Sequence, residues 1–216
     1  RLLERADVFV ENFRPGTLGR YGLDYAALAE RFPRLVYCSI SGYGQTGPRS
    51  RLAGYDAVVQ AESGLMSVTG DPSGPPFRLG LPITDMVAGL FAAQGITAAL
   101  LGRERTGRGT YLDISMLDTA AALLINQAAT YFATGAIAPR LGNAHQSIVP
   151  YDTFETADGP LMLAVGNDDQ WRRLCEAAGL DDLGADPRFA TNPSRVAHRD
   201  VLQPRLAATL RTRTRA

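Results

Sequence analysis

The chain has 216 residues, enough for one large or two small cores, and its 22 acidic and 22 basic side chains cancel, so no bulk field invites nucleic acid or an anionic membrane surface. Every one of the basic residues is arginine, which excludes a Schiff-base lysine within these residues and leaves any phosphate to arginine or backbone N–H groups. Cys38 and Cys175 fall in apolar patterns and read as buried free thiols, which fits a reducing, cytoplasmic setting.

The chain opens at Arg1 inside what reads as the end of an amphipathic helix (Leu2, Leu3, Ala6) and runs out in Arg211 to Arg215, so it reads as an internal piece of a longer protein. Ala6 to Val10 has the character of a short buried strand, followed by the turn Glu11-Asn12-Phe13-Arg14-Pro15-Gly16. The pattern predicts a helix from Tyr25 to Arg31, stopped by Pro33, and a second buried strand over Leu35 to Ile40. A strand, a helix and a strand in quick succession argue for a parallel α/β unit, whose ligands sit at the carboxyl ends of its strands. Arg14 and Arg20 follow the first strand; on spacing alone they suit a phosphate or a solvated surface equally well.

Ser41-Gly42-Tyr43-Gly44-Gln45-Thr46-Gly47 matches the dinucleotide spacing G-x-G-x-x-G, but Pro48-Arg49-Ser50-Arg51 follows where a helix should open. The stretch is therefore read as a loop over a site. Tyr55 to Leu65 is a short helix candidate, and the turn-rich segment from Ser67 leads to Gly80-Leu81-Pro82-Ile83-Thr84-Asp85. There Thr84 suits an N-cap and Asp85 the first turn of an apolar helix over Met86 to Leu101, ending at Arg103-Glu104-Arg105-Thr106-Gly107. That apolar run is short for a membrane span and holds Gln94 and Thr97, which assigns it to a core. The helix dipole favours an ionised Asp85 while burial opposes it. On the residues alone, Asp85 either caps its helix or serves as a carboxylate that attacks a carbonyl.

Thr110 to Ile114 alternates as a strand and Met116 to Phe132 reads as a second long helix. Thr134 to Pro139 is a linker, Tyr151 to Glu155 and Leu161 to Val165 form a hairpin across Ala157-Asp158-Gly159, and a helix spans Asp169 to Ala178. This change of texture places a domain boundary near Ala144, giving residues 1–143 and 144–216. His145 and His198 have no cysteine or carboxylate at ligand spacing, so no metal site is expected. His145 reads as an exposed or structural histidine, with an approach to a site between domains as the other reading.

Ala6-Asp7-Val8, Glu11 to Gly16, Ser41 to Pro48, Gly54-Tyr55-Asp56, Asp85, Arg105-Thr106-Gly107-Arg108-Gly109 and Gly142-Asn143-Ala144-His145 together resemble the class III CoA-transferases, the CaiB/BaiF family that includes formyl-CoA:oxalate CoA-transferase. The resemblance runs from Arg1 to about Phe189. It implies an α/β fold with a Rossmann-like large domain and a smaller α/β domain, in an interlocked homodimer. It places the nucleophile at Asp85 and coenzyme A contacts at Asn12, Phe13, Arg14, Arg20, Ala53, Gly54, Tyr55 and Asp56. The implied substrates are an acyl-CoA and a small carboxylic acid, with no permanently bound cofactor. Racemases of the family carry a histidine where this chain has Tyr55; a phenol, with an ordinary pKa of about 10, is a poor replacement for an imidazole, so acyl transfer is expected over α-proton transfer. A reading of another class is a non-catalytic CoA-binding module, since the family's first strand and its C-terminal return into the large domain are not among these residues.

Overall fold

The computed structural model describes residues 1–215. They form two compact units, Arg1–Arg140 and the chain from Leu141 onward.

In the first unit, β1 (Val8–Glu11) leads through a 3-10 turn at Leu18–Tyr21 to α1 (Tyr25–Ala29) and then to β2 (Val36–Ser41). Asp24 caps α1 by accepting the Ala27 N–H at 3.0 Å. The chain continues through α2 (Asp56–Glu62), α3 (Leu65–Val68), α4 (Ile83–Thr106), β3 (Tyr111–Ser115), α5 (Met116–Ala122) and α6 (Ile125–Thr134). The three strands form one parallel sheet in the order β1-β2-β3, with Glu11 beside Ser39 and Ser41 beside Ser115. All three carboxyl ends therefore open on the same edge. β2 is the central strand and is buried on both faces, which explains why its sequence is apolar without a strict alternation. Tyr37 faces a cluster with Leu28, Leu35, Phe9 and Tyr111, whereas Ile40 faces Val59, Ala88, Met116 and Ala120.

α4 packs on β2, β3, α2 and α5, and its small residues allow that approach: the Leu112 side chain comes within 3.5 Å of where a Cβ on Gly95 would stand. Its last turn is fixed by Gly107 in the left-handed conformation, φ 70°. Gly109 follows where a Cβ would lie 2.0 Å from the Leu35 carbonyl oxygen, so the Arg105 to Gly109 motif combines a helix stop with a close backbone crossing.

Several expectations are corrected. Thr84 is not the N-cap; α4 starts at Ile83 with Pro82 at the cap position, and Thr84 is buried inside the first turn. Met116 to Phe132 is two helices, because the ladder tightens to three-residue bonds at Leu123 and Leu124, and Leu124 turns inward onto the cluster around Val59 and Met116. The Tyr55 to Leu65 helix is likewise split, at Gly64 with φ 90°. α4 spans 24 residues and contains an 18-residue window of mean hydropathy 1.4, so, contrary to the reading of its apolar run as too short, it is long and apolar enough to cross a membrane by length and composition. Its Val87, Ala88 and Ala92 are buried, as a core helix requires, while Met86, Leu90, Phe91 and Leu101 on its remaining surface are exposed.

The second unit starts from an antiparallel hairpin of β4 (Tyr151–Thr156) and β5 (Gly159–Ala164), in register from Tyr151 with Ala164 to Thr156 with Gly159. α7 (Asp168–Ala178) follows, capped by Asn167 and stopped by Gly179 in the left-handed conformation. α8 (Asp181–Gly184), α9 (Asn192–Ala197) and α10 (Arg199–Leu210) complete a core of Val149, Phe154, Trp171, Phe189, Leu202 and Leu206. Arg195 is fully buried within it, donating to the carbonyls of Val149 at 2.7 Å and Phe189 at 3.0 Å and to Asp168 at 2.8 Å. Such a satisfied arginine is structural.

Candidate active site

The carboxyl edge of the parallel sheet carries a cleft of about 480 Å³. Its walls come from the turn after β1 (Asn12, Phe13, Arg14, Pro15), the end of β2 and the residue after it (Ile40, Ser41, Gly42), the approach to α2 (Leu52, Ala53, Gly54, Tyr55), the start of α4 (Asp85, Ala88, Gly89) and Met116. Seven of the nine candidate site residues thus meet at one opening: Asn12, Phe13, Arg14, Ala53, Gly54, Tyr55 and Asp85. Arg20, in the 3-10 turn, and Asp56, at the start of α2, are not among the lining residues.

Each wall has a local cause. Glu11 ends β1 with its carboxylate buried and accepts the Phe13 N–H at 2.9 Å, which bends the chain so that Phe13 and Arg14 face outward. Phe13 is 53% exposed and Tyr55 67% exposed, so two aromatic rings stand open to a ligand. Gly42 and Gly54 touch backbone to backbone: a Cβ on Gly54 would lie 2.3 Å from the Gly42 Cα. Only a pair of glycines lets the approach to α2 close against the end of β2 here. The glycine loop after β2 is held from below, where Asp113 accepts the Gln45 N–H at 2.9 Å. That loop runs into turns rather than a helix, in agreement with its reading as a non-dinucleotide loop.

The start of α4 is built by α2. Gln60, fully buried, accepts the Leu79 N–H at 2.8 Å and donates to the Leu81 carbonyl at 3.2 Å and to Asp56 at 2.7 Å. Asp56 accepts the Thr84 N–H at 2.9 Å and the Thr84 hydroxyl at 2.8 Å on one carboxylate oxygen. Asp85, in the same first turn, is exposed on the cleft wall. Partial burial, and after it the charge of Asp56, raise its pKa above the ordinary carboxylate value. For Asp56 burial also works against the charge, but the bonds from the Thr84 hydroxyl and N–H, Gln60 and the Asp85 N–H outweigh it and hold its carboxyl below the ordinary range. Two carboxylates at the start of α4, Asp85 of that helix and Asp56 from α2, are therefore pushed in opposite directions.

Other candidates take structural places. Burial, and then the charge of Glu11, push the Cys38 thiol up, which leaves it protonated inside the sheet. His145 lies in the second unit, where its Nδ1 meets the Ser147 N–H at 3.1 Å and its ring stands 5.1 Å from that of Tyr151. Among the described residues no cluster of three or more His, Cys, Asp or Glu is placed to hold a metal ion. The sequence reading missed Glu11 and Gln60. Their signals were present, in a carboxylate closing an apolar strand and a glutamine inside an apolar helix, but both act on segments remote or bent away from them.

A parallel sheet with a cleft at the carboxyl ends of its strands defines an α/β protein of the kind that binds ligands at that edge. The model of CoA-transferase family III matches residues 1–216, and the chain belongs to that family. It is 48% identical over 199 residues to succinate–glutarate CoA-transferase of Agrobacterium fabrum, covering 92% of this chain and 50% of that protein. It is 43% identical over 210 residues to acetyl-CoA:oxalate CoA-transferase of Acetobacter aceti, covering 97% of this chain and 54% of that protein. The crystal structure of a CaiB/BaiF family protein from Brucella suis superposes with a TM-score of 0.83 at 42% identity, over 99% of this chain and 57% of that one. A hypothetical protein from Mycobacterium tuberculosis superposes with a TM-score of 0.87 at 34% identity, over 99% and 58% of the two chains. The chain spans about half the length of the curated relatives it matches.

Proposed function

We propose that the full-length protein moves coenzyme A between an acyl-CoA and a carboxylic acid, with Asp85 as the covalent nucleophile. A carboxylate oxygen of Asp85 adds to the thioester carbonyl, and the tetrahedral adduct expels CoA thiolate to leave a mixed anhydride. The thiolate then attacks the Asp85 carbonyl of that anhydride, releasing the donor acid and forming an aspartyl-CoA thioester. The incoming carboxylate repeats both steps in reverse, so Asp85 is regenerated and no proton, electron or hydride is consumed. A carboxylate whose pKa is raised is the better nucleophile once ionised, which suits the first step.

The observation that carries this reading is the convergence of Asp85 with the Asn12-Phe13-Arg14 turn and Ala53-Gly54-Tyr55 on one cleft. Arg14 suits a CoA phosphate, with Arg20 outside the lining as a further contact, and the exposed rings of Phe13 and Tyr55 suit the remainder of the cofactor-like substrate. The relatives' names place succinate, glutarate and oxalate first among acids to try. The same reading assigns residues 1–143 to a Rossmann-like CoA-binding domain and 144–216 to a small domain, in a cytoplasmic homodimer.

The test is trapping. Full-length protein is incubated with labelled succinyl-CoA, quenched with hydroxylamine and digested, and the peptide carrying Asp85 is weighed. We expect a hydroxamate on Asp85 and loss of transfer in Asp85→Asn; turnover with Asp85 unmodified overturns the reading. Following α-proton exchange in deuterated water in the same samples separates transfer from racemisation, and wash-in without CoA exchange would favour the latter.

A further inference from the structure

We infer that Asp56 is a positioning residue: from α2 it holds the first turn of α4, and so fixes where the Asp85 carboxylate stands in the cleft. This deepens the proposed function and rests on it. A helix start presents N–H groups that its own backbone does not satisfy. In α4 the residue at the cap position is Pro82, which has no side-chain acceptor, and no side chain of α4 takes its place. The acceptor comes instead from a residue 28 positions earlier, whose carboxylate takes both the N–H and the hydroxyl of Thr84.

The carboxylate is fully engaged. One oxygen receives Thr84 twice, the other receives Gln60 at 2.7 Å, and the Asp85 N–H adds to the field that keeps it ionised. Thr84 and Gln60 are both fully buried, so neither donor can turn to solvent. Asp56 is absent from the cleft lining although its neighbour Tyr55 is part of it. Its carboxylate is thus directed at the helix, and the role of a CoA contact passes to Ala53, Gly54 and Tyr55. Through-space, the Asp56 charge is also the one that acts on Asp85. The other ionisable groups on elements packed against α4 are Glu62 on α2, Tyr37 and Cys38 on β2, Tyr111 and Asp113 on β3 and Asp118 on α5, with Arg14 and Tyr55 on the facing cleft walls; none of them contributes to the shift.

The experiment uses the full-length protein and compares Asp56→Asn, Thr84→Val and Asp85→Asn with the parent, reading kcat, KM for succinyl-CoA, the pH profile of kcat/KM and the melting temperature. Asp56→Asn keeps the shape and removes the charge. We expect kcat to fall roughly 10- to 100-fold, as small misplacements of a reacting group do. KM should stay within about threefold, and the acid limb of kcat/KM should move to lower pH, because the neighbouring charge that raises the Asp85 pKa is gone. Thr84→Val removes one donor and leaves the charge, so it should lower kcat with the acid limb unmoved. It also serves as the reporter should Asp56→Asn fail to fold. A rise in KM with kcat preserved would make Asp56 a CoA contact, and a lowered melting temperature with kcat and acid limb unchanged would make it only a structural cap; either overturns the inference. Parental transfer by Asp85→Asn would instead sink the function itself, an outcome distinct from both.

Discussion

Asp56 and Asp85 have opposite effects on stability, and the signs follow from their shifts. The folded-state pKa of Asp85 is raised, so its contribution is present below the ordinary carboxylate pKa of about 3.9 and is lost as pH rises through the folded value. At neutral pH its charge is a cost. Asp85→Asn is therefore expected to melt no lower than the parent at pH 7, with the difference closing as pH falls below the ordinary value, while transfer is lost. For Asp56 the folded value is lowered, so its contribution is present above the ordinary pKa and lost as pH falls through the folded one. Asp56→Ala should cost about 1 kcal/mol at neutral pH, the usual worth of a helix cap, and less in acid. Thermal melts at several pH values check both, and a neutral-pH loss in Asp85→Asn would reverse the first sign. Asp85 could be singled out in the chain by its place before an apolar run, but the residues alone left a helix cap and an attacking carboxylate both open, and the nucleophile's role came from the family resemblance. The work of Asp56 could not be singled out, because its partner Thr84 lies 28 residues on and only the packing of α2 against α4 brings them together.

α4 is tied at both ends to other parts of the sheet unit, at its start by side chains of α2 and at its end through its own Arg103. At its start stand Asp56 and Gln60; at its end Arg103, nearly buried, donates to the carbonyls of Asp7 at 3.4 Å and Arg34 at 3.1 Å and pairs with the Asp7 carboxylate at 3.0 Å. These carbonyls lie just before β1 and β2, so one side chain aligns the entry of both strands with the helix. Arg103→Leu leaves them without that donor and is expected to cost roughly 2–3 kcal/mol in denaturant unfolding of the full-length protein. A loss under about 0.5 kcal/mol would show that water replaces the guanidinium fully. Strands and the stop of α4 were readable from the chain because β2 and β3 are bounded runs and Gly107 ends the helix in a conformation that favours glycine. The break at Leu123 was hidden, since neither glycine nor proline marks it and the cause is tertiary packing of Leu124. No element was expected after Ala178; α9 and α10 each carry a proline, Pro193 in the opening turn of α9, where its missing N–H costs nothing, and Pro204 inside α10.

Over the whole molecule the apolar surface is out of balance with the charge-neutral exterior. Leu90 is 68% and Leu101 66% exposed on α4, and Ile125, Phe132 and Ile137 are 70%, 85% and 85% exposed on and after α6. The exposed residues of α4 run the length of a helix whose opposite face lies against the sheet. Runs of exposed apolar side chains of this kind mark interaction surfaces. We expect the 216-residue chain on its own to bind a hydrophobic dye and to self-associate at micromolar concentration, and the full-length protein to do neither. Leu90→Glu with Leu101→Glu should suppress the association of the short chain, because α4 keeps its sheet-facing Val87, Ala88 and Ala92. In the full-length protein the same pair should lower the melting temperature, since two charges would then be buried without partners. Sedimentation, dye fluorescence and melting of the four samples decide it. A monomeric, dye-silent short chain, or a full-length pair variant that melts like its parent, would mean that these side chains stand in water in the full-length protein. The cleft would then owe nothing to cover on the outer face of α4, and its geometry would rest on the anchors at Asp56, Gln60 and Arg103 alone.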